Sequence, residues 1–145
     1  MNPDVLEGEI VSRGLSAPRV KPEDLDAEIA SVHYFTALQG ARMEGLDYMD
    51  KLGQVQQPMP HDPRLGLLTF CILVLKNGFM EVGKSACASP ENFDELLGRK
   101  IAFNNAREKL WPLLGFRLCD RLNVPAAAPE TVAEEPAPPV VLLPV

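Results

Sequence analysis

The sequence predicts an α+β fold in which helices flank a single β-hairpin. Three observations lead to this class. The apolar run Leu67–Leu75 is rich in residue types that favour strands. Asn77-Gly78 follows this run almost directly, and Asn-Gly is a strong short-range signal for a hairpin turn. Segments with helical periodicity or with the chemistry of a helix start lie on both sides of the hairpin.

The composition of the chain is that of one ordinary globular domain, with 145 residues and 46% hydrophobic residues. The net charge is −6, and three glutamates of the C-terminal tail contribute half of it. The middle of the chain is therefore nearly neutral, which argues against binding along a phosphate backbone. The longest apolar run is too short to span a membrane. The acidic N-terminus lacks the apolar core of a signal peptide, so we expect a protein of the cytoplasm.

The first helix is predicted from its start signal and its spacing. Residues 1–20 mix Pro, Gly, Ser and charges without a period, so we expect a flexible arm. Lys21-Pro22-Glu23-Asp24 has the Pro and the acids of a first helical turn. Apolar residues then recur at spacings of three and four, which predicts one amphipathic helix that weakens near Gly40 and continues irregularly to Met49: Leu25, Ile29, Val32 and Phe35.

The segment that follows, residues 50–66, is predicted to be a long surface loop. Pro58, Pro60 and Pro63 fall within six residues and exclude an α-helix there.

The hairpin itself is expected to close through a two-residue type I′ loop at Asn77-Gly78. That register places Leu73 opposite Val82 and Cys71 opposite Lys84. The first strand is apolar on both faces, so both faces need cover. A two-stranded hairpin is marginal alone, so we expect helices to pack on it or a second copy to extend it, most simply as a homodimer.

Two helices are predicted after the hairpin, a long one and a short one. Ser89 is a suitable cap and Pro90 fits the first helical position, so the long helix should begin there and run to about Leu110. Pro112 should end or kink it, and Leu113–Leu122 should form the short helix. Residues 123–145 hold six of the 14 prolines and are expected to be a disordered tail, outside a domain over residues 21–122.

The sequence offers a few candidate binding residues. A helix start binds anions through its free N–H groups, which makes a group near Ser89 candidates for a phosphate site or a reactive thiol: Lys84, Ser85, Cys87, Ser89 and Asn92. The other reading of this group is capping and packing. Asn77 and Gly78 of the turn, and Trp111 among basic residues, are candidates for a binding surface.

Catalytic and metal chemistry find little support. His33 and His61 are the only histidines, and neither lies in a context that activates a nucleophile. The three cysteines are widely spaced and show no zinc pattern, so we expect reduced thiols. We predict a protein that is not an enzyme and that has no cofactor and no metal. Nucleic-acid binding is disfavoured because the basic residues after residue 98 do not share one helix face and are diluted by acids.

The stretch from Leu68 to Gly115 resembles a family of small tailed-bacteriophage proteins named for phage gene products 49 and 66. The most specific part runs through Asn77-Gly78 and Gly83-Lys84-Ser85-Ala86-Cys87-Ala88-Ser89-Pro90 to Asp94, and Trp111-Pro112-Leu113 also matches. The resemblance covers about residues 65–122. His33-Tyr34-Phe35-Thr36-Ala37 also resembles a segment of some relatives. Met80-Glu81-Val82-Gly83 departs from a strand that is richer in Thr in the family.

The resemblance implies a phage gene expressed in the bacterial cytoplasm, with no established reaction and therefore no catalytic residues. We expect an accessory protein that acts by binding a host or phage macromolecule, through which it would inhibit a host function or defence. A structural or assembly component of the virion is the first alternative. A protein that binds nucleotides or other small anions at Ser85–Ser89 is the second.

Overall fold

The computed structural model describes residues 2–53 and 60–125. In chain order it contains helix α1 (Pro3–Ser12), helix α2 (Pro22–Glu28), strand β1 (Ile29–Thr36), helix α3 (Ala37–Leu52), strands β2 (Leu68–Leu75) and β3 (Met80–Ala86), and helices α4 (Glu95–Glu108) and α5 (Leu110–Asn123). Short 3-10 helices lie at Pro63–Leu67 and Pro90–Asn92. The predicted α+β class is confirmed.

The three strands form one antiparallel sheet in the order β1-β2-β3. Helix α4 packs on β2 and β3, and it covers the face on which every second residue of β2 is buried. The core lies between this face and the helices, and it is aliphatic apart from one thiol: Leu25, Cys71, Leu73, Leu75, Ala102, Ala106, Leu110 and Leu114.

The prediction of one helix from Pro22 to Met49 is wrong over Ile29–Thr36, which form β1. The helix does begin at Pro22, next to a Lys21 N–H that donates to Asp24 Oδ2 at 2.8 Å, but it ends at Glu28. The hairpin explains why this segment is a strand. One edge of β2 pairs with β3, and without β1 the backbone groups on its other edge would be unpaired beside a buried face. Pairing with β1 satisfies them, with Val32 opposite Leu73.

The hairpin lies at the expected place, but its predicted two-residue loop and register are wrong by one residue. Leu75 N–H donates to Phe79 O at 2.8 Å, and Gly78 has a φ of 85°, whereas Asn77 has a negative φ. This is a three-residue loop that ends in a left-handed glycine, in place of a type I′ turn.

The one-residue shift exchanges the two faces of β3. Cys71 pairs with Gly83, and Ile72 pairs with Val82. Gly83 therefore faces α4, whereas Val82 and Lys84 point to the opposite face of the sheet.

The C-terminal helices also depart from the prediction. The α-helix begins at Glu95 with Asp94 as its cap, whose Oδ1 accepts from Leu97 N at 2.8 Å. Ser89-Pro90 starts only a three-residue 3-10 helix. The two α-helices are equally long, at 14 residues each, and Pro112 lies in the first turn of α5 rather than at the end of α4.

Two segments predicted to lack regular structure contain helices. Residues 1–20 include α1, and the ion pair between Glu7 and Arg19 joins that helix to the segment before α2. Within the predicted loop over 50–66, α3 extends to Leu52 and a 3-10 helix begins at Pro63. Residues 54–59 of that loop, and residues 126–145 of the predicted tail, lie outside the described residues.

Candidate functional site

The turn residues Asn77 and Gly78 are exposed at the tip of the hairpin. Asn77 Oδ1 accepts from Phe79 N–H at 3.0 Å, so its side chain stabilises the turn itself. Gly78 supplies the positive φ that closes the loop. Both residues have a structural role, and the exposed tip leaves them accessible to a partner.

The predicted anion site at Ser85–Ser89 does not have the geometry that suggested it. The Cys87 thiol donates to Ser89 O at 3.1 Å, and the Ser89 hydroxyl donates to the carboxylate of Glu91. That hydrogen bond lowers the pKa of Glu91, which keeps a negative charge where an anion would bind. The N–H of Asn92 also donates to Ser89 O.

The free N–H groups of a long helix lie elsewhere. The N-terminus of α4 is occupied by the carboxylate of Asp94, with Glu95 beside it. The negative charges of these two side chains disfavour the binding of an external anion at this position. The small-anion hypothesis therefore has no support in the site that motivated it.

The remaining predicted residues do not join the others in one site. Trp111 is half-buried and packs against the core, which is a structural position. Lys84 is exposed on β3, on the sheet face opposite α4.

That opposite face carries the clearest surface feature of the described chain. Ile72 and Val74 of β2 lie beside Val82 and Met80 of β3, and we name these four residues the open-face patch. Met80 is 63% exposed and Val82 41% exposed, while Ile72 and Val74 are half-buried. A contiguous apolar patch on one sheet face is typical of a protein-interaction site.

The surroundings of the open-face patch are polar on two sides and closed on a third. Ser31 and His33 of β1 lie opposite Val74 and Ile72, and Ser31 Oγ and His33 Nε2 are 3.0 Å apart. Lys84 forms the rim on β3. At the third side, α3 covers the sheet where its Gly40 lies against the Phe35 ring. An apolar centre with a polar rim is the usual anatomy of an interface.

The β3 edge beside the patch is closed by side chains of α4. Lys109 Nζ donates to Val82 O at 2.6 Å and pairs with Glu81 Oε1 at 3.2 Å. Glu81 Oε1 also accepts from Val82 N–H at 3.0 Å, and Asn105 Nδ2 donates to Lys84 O at 2.9 Å. These bonds occupy backbone groups that would otherwise pair with another strand.

A cleft of about 660 Å³ with charged walls lies between α2 and α5. It holds Arg19, Arg117 and Arg121, but two of these are neutralised: Arg19 by Glu7, and Arg117 by Glu28 at 2.5 Å. Arg117 lowers the pKa of Glu28, chiefly through this hydrogen bond. In this cleft the Glu28–Arg117 ion pair ties α2 to α5.

Within residues 2–53 and 60–125, no three His, Cys, Asp or Glu side chains come together as a metal site would require. None of the helices in those ranges is both long and apolar enough to cross a bilayer.

The open-face patch was not predicted from the sequence, because the predicted register placed Val82 and Lys84 on the wrong face and β1 was predicted to be helical. The alternation of polar Ser31 and His33 with Val32 and Tyr34 was the available signal, since it has the period of a strand.

Comparison with known proteins gives the family. The model of the phage protein family described as N4 Gp49/phage Sf6 gene 66 matches residues 20–122, which include all three strands and extend the similarity well before residue 65. No curated protein matches the chain significantly, and no solved structure does so either. The chain therefore belongs to the N4 Gp49/phage Sf6 gene 66 family of phage proteins.

Proposed function

We propose that this phage protein is a non-enzymatic accessory protein that binds a host or phage protein through the open-face patch. The observation that carries the proposal is the exposure of Met80 and Val82 beside Ile72 and Val74, on a part of the sheet face that none of the described helices covers. Exposed apolar surface of this kind lowers the solubility of a protein, so in natural proteins it usually marks an interaction site. Inhibition of a host function or defence is the outcome that such binding would have in an infected cell.

A protein partner fits this surface better than a nucleic acid does. The basic residues of α4 and α5 are largely engaged by carboxylates: Arg99 with Glu95, Arg107 with Asp26, Lys109 with Glu81, and Arg117 with Glu28. Binding to phosphates would have to break these pairs. The patch itself contains no basic residue, and the basic residue Lys84 lies on its rim.

The reactive side chains support a role without catalysis. Burial raises the pKa of the Cys71 thiol, which keeps it protonated and unreactive. The exposed His33 ring contacts the hydroxyl of Ser31, and this pair has no carboxylate to orient it within the described ranges.

The test compares the full chain with a patch variant and a matched surface variant. We expect tagged wild-type protein to retain a specific protein from phage-infected host lysate. Val82→Asp should lose it, because a charge at the centre of an apolar interface is desolvated on binding. Leu96→Asp, at a residue that is 77% exposed on α4, should retain it.

The retained protein is then purified and its affinity is measured directly by calorimetry. An affinity for Val82→Asp within about twofold of the wild type would contradict the assignment of the patch. Equal loss with Leu96→Asp would do the same, because it would show that any exposed charge disrupts binding.

A role in the virion is the second candidate, and the observation that favours it is that β1 is an edge strand of eight residues without a charged residue or a proline, on which another copy could pair. It places the protein in particles, whereas the accessory role places it in the host cytoplasm. Mass spectrometry of purified virions separates the two. Stoichiometric presence supports the structural role, and absence leaves the accessory role alone.

A further inference from the structure

The two edges of the sheet differ in how their outward backbone groups are occupied. Because Leu75 N–H bonds to β3, alternate residues of β2 bond to β1, and these pair with Ser31, His33 and Phe35. The outward N–H and C=O groups of β1 are then those of Val32 and Tyr34. Among the described residues these groups have no backbone partner, in contrast to the bonded groups of Val82 and Lys84 on β3.

The side chains of β1 also leave its edge unguarded. Natural edge strands are usually blunted by charges, by prolines or by a covering element. The eight residues Ile29–Thr36 contain no charged residue and no proline, and the only irregularity is a bulge between Ile29 and Ser31. The chain carries a net charge of −6, so copies repel on average. β1 itself carries no charged side chain, so strand pairing there brings no like charges of the strands together.

We propose that β1 pairs antiparallel with β1 of a second copy, about a two-fold axis at His33. The two three-stranded sheets would then form one continuous sheet with α4 of each copy on the same side. Val32 of each copy pairs with Tyr34 of the other, and each pair exchanges both N–H···O bonds. An antiparallel edge is complementary to itself, as a closed two-fold interface requires.

The packing of the edge side chains supports a second copy as the occupant. Val32 and Tyr34 point to the α4 side and are only half-buried, although they pack against the core. A neighbouring strand would cover their remaining apolar surface. Pairing also places the two open-face patches on one face of the joined sheet. This inference does not depend on the proposed binding partner, because it uses the backbone edge of β1 rather than the apolar side chains of the open-face patch.

The register gives a charge-complementation test. His33 is exposed, so a charge there leaves the monomer fold intact, and in the dimer residue 33 lies opposite its own copy. We expect full-length wild type to sediment as a dimer at micromolar concentration. His33→Lys and His33→Glu should each raise the dimer dissociation constant by about tenfold or more, since like charges meet. An equimolar mixture of the two should form heterodimers about as tight as the wild type.

Controls separate this inference from the proposed function. Val82→Asp should remain dimeric although it loses the partner protein, and the circular dichroism of every variant should match the wild type. Amide exchange at Val32 and Tyr34 should be slow in the wild type and fast in His33→Lys.

Three results would overturn the proposal. The first is a wild-type monomer across micromolar concentrations. The second is a dimer that Val82→Asp breaks, which would place the interface on the open face. The third is dimerisation only after removal of residues 126–145, which would show that this segment takes the place of the second copy.

Discussion

Gly83 of β3 lies against Ala106 of α4 so closely that a methyl group on Gly83 would come within 2.4 Å of Ala106 N and 2.8 Å of Ala106 Cβ. The same methyl group would lie 2.0 Å from Ala102 O. Two of these three atoms belong to the helix backbone and cannot move aside as a side chain would. This contact fixes the distance between α4 and the sheet.

Gly83→Ala is therefore expected to destabilise the protein by about 3 kcal/mol or more, because α4 must move away from the sheet. The free energy of unfolding in urea measures the effect. Gly115→Ala in α5 is the matched control, since nothing lies within 4 Å of the added methyl group. That variant should gain up to about 1 kcal/mol from helix propensity. Similar effects of the two changes would contradict the close packing at Gly83.

The geometry of the three-residue hairpin loop predicts the effect of substitutions at Asn77 and Gly78. Gly78 has a φ of 85°, so Gly78→Ala should cost about 1 kcal/mol through backbone strain. Asn77 has a negative φ and accepts from Phe79 N–H. Asn77→Gly should therefore destabilise as well, measured by thermal unfolding. In a type I′ loop both central residues have positive φ, so a stabilising Asn77→Gly would favour that loop instead.

The position of the α4 start can be tested with two cap variants. Asp94→Ala should cost about 1 kcal/mol, because Asp94 Oδ1 caps the N–H of Leu97. Ser89→Ala should cost less than half of that, because the Ser89 side chain makes no cap hydrogen bond to the 3-10 helix. Chemical denaturation of both variants measures the loss of unfolding free energy. A larger loss for Ser89→Ala than for Asp94→Ala would indicate that the helix begins at Pro90.

The ion pair between Glu28 and Arg117 predicts a pH dependence of stability. Arg117 holds the pKa of Glu28 below its unfolded value of 4.5, mainly by hydrogen bonding. The unfolded chain therefore binds this proton first, so the contribution is complete above pH 4.5 and is lost as pH falls through the lower folded pKa.

Glu28→Gln should remove this part of the pH dependence. We expect the free energy of unfolding to fall less steeply below pH 4.5 in the variant than in the wild type. Asp120→Asn on α5 is a control whose carboxylate has no ion pair within the described ranges. Parallel pH profiles for wild type and Glu28→Gln would argue against the ion pair.

Most of the fold class could be predicted from the sequence, because the signals for the hairpin and for α5 are local. Asn77-Gly78 marks the turn in either register, because glycine adopts the left-handed conformation without steric cost. The apolar run of β2 is a strand whichever elements cover it. The chemistry of Pro22 likewise gives the start of α2 without reference to the rest of the chain.

The open-face patch could not be predicted, because it depends on a register that the turn signal left open by one residue. A two-residue and a three-residue loop are both compatible with Asn77-Gly78, yet they place Val82 on opposite faces. The choice is made by α4, which lies too close to the sheet for any residue but glycine at position 83.

Local signals in the sequence were enough to give the α+β class, the hairpin, the start of α2 and the likeness to a phage family. The strand at Ile29–Thr36 depends on tertiary contacts, because Ile29, Val32 and Phe35 also fit helical spacing. The physical reason is that backbone groups along the edge of β2 need partners, and this need arises between segments about 40 residues apart. The local pattern of this segment fits both a helix and a strand, so both sheet edges, and the surfaces we assign to binding, follow from the assembled fold.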